Sequence, residues 1–197
     1  MTAAPGPVPL TLVTGPEALL RDRAVAAAVA AVRVADPEAE VHDLSAVGLE
    51  PGRVTGLASP SLFGGTSVIV VRDVADAAEA ITDELKTVLA DPGDDVVLVL
   101  VHPGGVKGKS LLDAARGAGA VVVDCKVVKW ESDKVAFVQG EFKAAGRRVA
   151  PAAAVALVDA LGSDLRELAN ACASWWRTPR ERSTAPWSSA TTPAGSR

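Results

Sequence analysis

The residues of most evident chemical use are Gly104-Gly105-Val106-Lys107-Gly108-Lys109-Ser110. Glycines leave backbone amides open, a lysine adds positive charge, and a hydroxyl can reach a metal. Together these are the means to hold a phosphate. The segment follows the apolar run Val96 to Val101 and precedes a helix expected from about Ser110 to Arg116, the order in which a helix N-terminus meets an anion. The spacing departs from the nucleotide-binding pattern. G-x-x-x-x-G-K-[ST] needs glycine five residues before Gly108, and that position is Pro103. Counting from Gly104 leaves the loop one residue short, with fewer amides to surround a phosphate. The loop also follows the fourth expected strand rather than the first. A solvated basic turn is the plainer account. A P-loop-like nucleotide-binding enzyme using Lys109 and Ser110 is the alternative.

Other reactive side chains are sparse. Asp73 ends an apolar strand, as a magnesium-holding aspartate would. Without a loop for the triphosphate such a metal has no partner, so a turn-forming aspartate is expected. His42 and His102 are the two histidines, and neither G-x-S-x-G nor H-E-x-x-H accompanies them. His102 is expected to close the end of its strand. Cys125 and Cys172 form no C-x-x-C pair, which points away from a disulfide framework or a cysteine metal site and towards a reducing compartment. No catalytic residue, metal site or cofactor is expected from these residues.

The segment Ser61-Leu62-Phe63 stands out for a different reason. It lies between Pro60 and the Gly64-Gly65 pair, ahead of the strand Ser67 to Asp73. A Leu-Phe pair on a turn either seals the core locally or is presented to a partner's pocket, where an aromatic with an aliphatic neighbour supplies much of an interface's energy.

Composition bounds the partners. The 197 residues are 49% hydrophobic and 22% charged, enough for a packed core. The net charge of −4 argues against strong sequence-independent nucleic-acid binding by the chain as a whole, though a small local basic patch remains compatible with it. Residues 1–7 read as a flexible leader without the features of a signal peptide. The longest strongly apolar run, Val96 to Val101, is far short of the ~20 residues of a membrane helix. A cytoplasmic protein without membrane contact is expected.

The elements that would position these residues alternate. Strands are expected at Leu10 to Val13, Val41 to Leu44, Val68 to Arg72, Val96 to Val101 and Ala120 to Asp124. Helices are expected from Glu17, over Gly52 to Ala58, over Ala77 to Ala90 and from about Ser110 to Arg116. Near-continuous apolar strands alternating with helices predict an α/β fold with a parallel five-stranded sheet and flanking helices. After Lys126 the pattern turns helical: Glu131 to Ala145, a helix opened by Pro151, and a third starting Leu165-Arg166-Glu167-Leu168, capped by Ser163 or Asp164. The expected domains are residues 1–126, a small three-helix domain at 127–173, and an aberrant or disordered tail at 174–197. That tail holds no Val, Ile, Leu, Met or Phe but has Trp175, Trp176 and Trp187. Loss of the apolar period in mid-helix is expected from a frame error or truncation.

Four segments, in order, carry a family likeness: Leu12 to Leu20, which stands where a phosphate loop would be but lacks Gly-Lys-Thr; Ser61-Leu62-Phe63 with the strand ending Val71-Arg72-Asp73; Val97 to His102 with the turn Lys107-Gly108-Lys109; and Val149-Ala150-Pro151 through Gly162 to Leu168. Over about residues 10–172 the chain resembles the delta subunit of the bacterial DNA polymerase III holoenzyme, a clamp-loader family. The resemblance implies an AAA+/RecA-like first domain with a degenerate nucleotide site, a helical lid domain, and a C-terminal collar that this sequence lacks. It implies a subunit without ATP hydrolysis or cofactor, within a holoenzyme that is a DNA-directed DNA polymerase, a nucleotidyltransferase. It implies that Leu62 and Phe63, preceded by Ser61, enter an apolar pocket on the sliding clamp (the beta subunit) and help open the ring. Further implied partners are the tau/gamma and delta prime subunits, and DNA through the complex. Arg166 falls where an ATPase relative places a sensor arginine. The family continues its last helix with an acidic and apolar stretch, where this chain has Ser174-Trp175-Trp176-Arg177. A third reading is an α/β interaction scaffold for another partner.

Overall fold

The computed structural model describes residues 8–59 and 64–177. The chain divides into two compact units, residues 1–129 and 130–197.

The first unit is built on five parallel strands: β1 (Leu10–Thr14), β2 (Glu40–Ser45), β3 (Ser67–Arg72), β4 (Val96–His102) and β5 (Val121–Asp124), in the order β2-β3-β4-β1-β5. The helices between them are α1 (Ala18–Ala35), α2 (Arg53–Ala58), α3 (Glu79–Ala90) and α4 (Lys109–Gly117). Every residue of β4 is buried, because a central parallel strand is covered on both faces and needs no polar alternation.

The two faces use different side chains. On one, Leu12, Ile69, Leu98 and Leu100 pack with residues of α2, α3 and α4, including Val54, Leu85 and Leu111. On the other, Val13, Val68, Val70, Val97, Val99 and Val101 pack with Val25 and Val32 of α1. Alternation of Val and Leu along β4 therefore sorts side chains by the layer above them. Arg72, at the end of β3, ties three elements together. It gives two hydrogen bonds to Asp43 of β2, at 2.8 and 3.1 Å, and one to Asp22 of α1 at 3.0 Å. The Asp43 hydrogen bond, with Asp22 behind it, raises the guanidinium pKa further despite partial burial.

Three details differ from the sequence reading. Glu17 is the N-cap of α1 rather than part of its first turn. The third helix starts at Glu79 and not Ala77, because Asp73 takes a left-handed conformation (φ 57°) and Val74–Asp76 form a 3₁₀ turn. The edge strands are longer or more exposed than their patterns suggested: β2 spans Glu40–Ser45, and both Val121 and Val122 of β5 are exposed.

The second unit contains α5 (Glu131–Ala144), α6 (Pro151–Leu161) and α7 (Leu165–Arg177). Val138, Phe142, Ala154, Val158, Leu165, Leu168 and Cys172 are buried. Proline opens α6, where its missing N–H costs nothing. Asp164 is the cap of α7: its Oδ1 accepts the amides of Arg166 (2.7 Å) and Glu167 (3.1 Å). Ser163 instead accepts a hydrogen bond from Lys134 Nζ.

Helix α7 runs past Ser174, where the sequence reading placed the start of an irregular tail, to Arg177, the last described residue. Trp175 explains the extension. Its ring meets buried Phe142 edge-to-face, with centroids 6.2 Å apart and planes at 87°, a favourable aromatic geometry. Residues 178–197, with Trp187, lie outside the described residues.

This contact predicts that Trp175→Ala lowers the unfolding free energy of the second unit by about 1 kcal/mol, since the ring is part exposed. Urea unfolding followed by far-ultraviolet circular dichroism, in a background lacking Trp187, measures it.

Candidate functional site

In an open parallel sheet, ligands bind outside the carboxyl ends of the strands, beside a switch in strand order. Here that place is the junction of β1 with α1, flanked by β4 and β5. Only Gly15, Pro16 and Glu17 connect strand to helix. The Gly15 amide donates to the His102 carbonyl (3.1 Å), the Glu17 amide to the Cys125 carbonyl (3.0 Å), and the Cys125 amide to the Thr14 carbonyl (2.6 Å). Arg21 Nη1 donates to the Gly15 carbonyl at 2.5 Å. A phosphate loop wraps free amides around an anion; this turn turns its amides onto the protein's own carbonyls.

Gly15 is required there on two counts. Its φ of +136° lies outside the range of L side chains, and a Cβ would sit 2.3 Å from the Cys125 carbonyl oxygen. Gly104, from the β4–α4 turn, packs against it: a Cβ on Gly104 would lie 3.5 Å from Gly15 Cα. The two glycines let the two turns lie side by side above the sheet. Cys125 is buried beneath this turn, and burial pushes its thiol pKa up.

The Gly104–Ser110 turn is held from within. His102 is fully buried. Its Nδ1 accepts the Gly104 amide (2.9 Å), so its proton belongs on Nε2, which donates to the Lys107 carbonyl (2.7 Å). The Lys109 amide goes to the Val106 carbonyl, and Lys107 Nζ pairs with Asp76. Histidine thus occupies the centre of the turn, where a phosphate loop would hold its anion. Lys109 and Ser110, the residues of the nucleotide-binding alternative, are exposed at the start of α4. Asp73 accepts a hydrogen bond from Ser45 Oγ at 3.3 Å, as a strand-end residue tied to the neighbouring strand. His42 lies on β2, 3.6 Å from Glu40. The structure brings Gly15, His102 and Cys125 together; Lys109 lines an open hollow of about 490 Å³ with Thr14, Gly15 and Gly104, whereas His42 lies on β2 beside Glu40. Among the described residues no group of three or more His, Cys, Asp or Glu could hold a metal.

Ser61, Leu62 and Phe63 lie outside the described residues. The stems on either side are well fixed. Before them, α2 is capped by a side chain from α3: Glu84 accepts the amides of Gly52 (2.9 Å) and Thr55 (2.8 Å) and the Thr55 hydroxyl (3.1 Å). Ser67 Oγ donates to the Leu57 carbonyl at 3.2 Å. After them, the Thr66 amide donates to Asp36 Oδ2 at 2.9 Å. Partial burial raises the Glu84 pKa, but the amides of Thr55 and Gly52 outweigh it and leave the carboxyl below its ordinary value. The Thr66 amide likewise lowers Asp36. Sequence reasoning missed both carboxylates, because each acts on residues about thirty positions away and carries no local signal.

No protein-family model matches the chain, and no curated protein does. Solved structures do. The Bacillus subtilis DNA clamp loader delta protein aligns over 88% of this chain with a TM-score of 0.63 and 16% identity. The Thermotoga maritima RuvB Holliday junction branch migration motor aligns over 85% with a TM-score of 0.56 and 15% identity. The chain spans about half the length of each, 55% and 54%. At these identities the likeness is one of fold, and the fold is AAA+/RecA-like. No helix among the described residues is long and apolar enough to cross a membrane.

Two outcomes follow. Gly15→Ala must displace the Cys125 backbone or change the turn, and loses about 2–4 kcal/mol of stability in denaturant titration. Glu84 and Asp36 have folded pKa values below their unfolded ones. Their stabilisation is full at neutral pH and is lost as pH falls below about 4, through the folded values. Glu84→Gln therefore costs about 1 kcal/mol at pH 7, discounted for exposure, and flattens the acid limb of a stability–pH curve.

Proposed function

We propose that this chain is a clamp-loader subunit of the delta type, a non-hydrolysing part of the bacterial replicase that binds the sliding clamp through Ser61-Leu62-Phe63. One observation carries the reading: the β1–α1 turn bonds its amides to the chain's own carbonyls. A motor on this fold needs a place for its nucleotide. A subunit that only grips a ring does not, and the closed turn favours the second over the first. The fold likeness to a clamp loader delta protein supports the same choice.

The mechanism needs no catalytic group. To help open a ring, a subunit must bind the open or strained form better than the closed one, by an amount comparable to the cost of opening. The neighbouring segments are held by side chains from other elements, Glu84 at the start of α2 and Asp36 at Thr66. Glu84 and Asp36 act here as positioning residues. The proposed setting is the cytoplasm, with the clamp, further loader subunits and DNA as partners of the assembled complex.

Binding to an immobilised bacterial sliding clamp, without nucleotide, tests this. Leu62→Ala with Phe63→Ala is expected to weaken binding by at least about tenfold and to leave the melting temperature nearly unchanged. Unchanged affinity, or a collapse of thermal stability with affinity kept, contradicts the proposal.

A further inference from the structure

We infer that the C-terminal end of α5 and the turn after it form a docking surface for the sugar-phosphate backbone of a nucleic acid. Lys143, Arg147 and Arg148, with Gln139, Gly146 and Val149, line an open hollow of about 520 Å³. No acidic side chain lines it. Some of the other cations, Lys86, Lys107, Arg116 and Lys126, each sit on a carboxylate. Lys143, Arg147 and Arg148 have no such carboxylate among the described residues.

The placement is built by the backbone. Gly146, in the left-handed region at φ 68°, ends α5, with its amide on the Lys143 carbonyl (2.9 Å) and the Arg147 amide on the Phe142 carbonyl (2.8 Å). This closure fixes the arginine pair beside the last helical turn. Gln139 and Lys143 are one turn apart and share a face, whereas Glu141 falls about 200° around the helix from each. Residues 130–177 carry six Lys and Arg against six Asp and Glu, so this hollow gathers half the cations of a neutral segment. The helix dipole favours a cation in the last turn, which accounts for Lys143 but fades by Arg147 and Arg148.

Gly140 adds an independent mark. It is exposed in mid-helix, with nothing within 4 Å of where a Cβ would be. No packing demands glycine there, and it costs the helix about 1 kcal/mol relative to alanine. Beside Gln139 and Lys143 it leaves the surface low enough for a bulky backbone to approach. Phosphodiester contacts need charge and access but no side-chain pockets. An acidic peptide would call for pockets, and Val149 is the one sizeable apolar side chain in this lining. Because the whole chain is acidic, the contact is local and strongly dependent on salt. The inference does not rest on the clamp reading, and its test contains no clamp.

The experiment is fluorescence anisotropy of the full chain with a labelled DNA duplex, from about 50 to 200 mM salt. Wild type is expected to bind with a slope of log affinity against log salt of about −2 to −3. The variant Lys143→Gln, Arg147→Gln, Arg148→Gln weakens binding at least about tenfold at the low-salt end and removes most of that slope. The pair Arg147→Gln, Arg148→Gln, confined to the turn, gives an intermediate loss if the triple variant fails a circular-dichroism check of folding. The matched variant Lys86→Gln, Arg116→Gln, Lys126→Gln leaves both quantities nearly unchanged. Absence of wild-type binding at low salt overturns the inference, as does an equal loss in the matched variant. Displacement of the duplex by polyglutamate as readily as by unlabelled duplex also overturns it, and assigns the hollow to acidic peptides.

Discussion

The contact between the Gly15 and Cys125 backbones constrains most of what this molecule can do. A strand that enters a helix after three residues has no length left for a loop around an anion. Its amides must find partners at once, and the carbonyls of His102 and Cys125 supply them. Through those bonds β1 is locked to β4 and β5, α1 is set over the valine face of the sheet, and Arg21 closes the turn from above. The arrangement tolerates only glycine at its centre. The result is a short, hydrogen-bonded turn where the strands end.

Further ties come from side chains that reach between elements. Arg72 joins β2, β3 and α1. Glu84 caps α2 from α3, and Asp36 holds the residue before β3. His102 fills the β4–α4 turn with an imidazole accepting at one nitrogen and donating at the other. Each of these side chains ties together elements that are distant in the sequence.

The sequence made the central strands legible because they are buried on both faces: Val68 to Arg72 and Val96 to Val101 are unbroken apolar runs. The edge strand β2 was harder, since it is partly open to solvent and mixes polar with apolar residues, whereas β5 was legible as a valine run although it is exposed. Asp73 hid the 3₁₀ turn after β3, because nothing in its type announces a left-handed backbone. The extension of α7 to Arg177 was missed for another reason. Composition counts aliphatic residues, and this helix finds its late anchor in Trp175 against Phe142. In the candidate site, the departure from a phosphate-loop pattern at Gly15 was plain in the sequence. The carbonyls that accept the turn's amides were not, because Cys125 and His102 come to Gly15 through the sheet's strand order. The roles of Glu84 and Asp36 were equally illegible, depending on pairings across about thirty residues.

The most direct test of the account is amide hydrogen exchange at Gly15 and Glu17, by nuclear magnetic resonance, with and without magnesium-ATP at millimolar concentration. If the turn is closed by the chain's own carbonyls, both amides are protected in the free protein and their rates do not change with nucleotide. Fast exchange in the free protein that slows on adding nucleotide would show an open cradle, and would contradict the account.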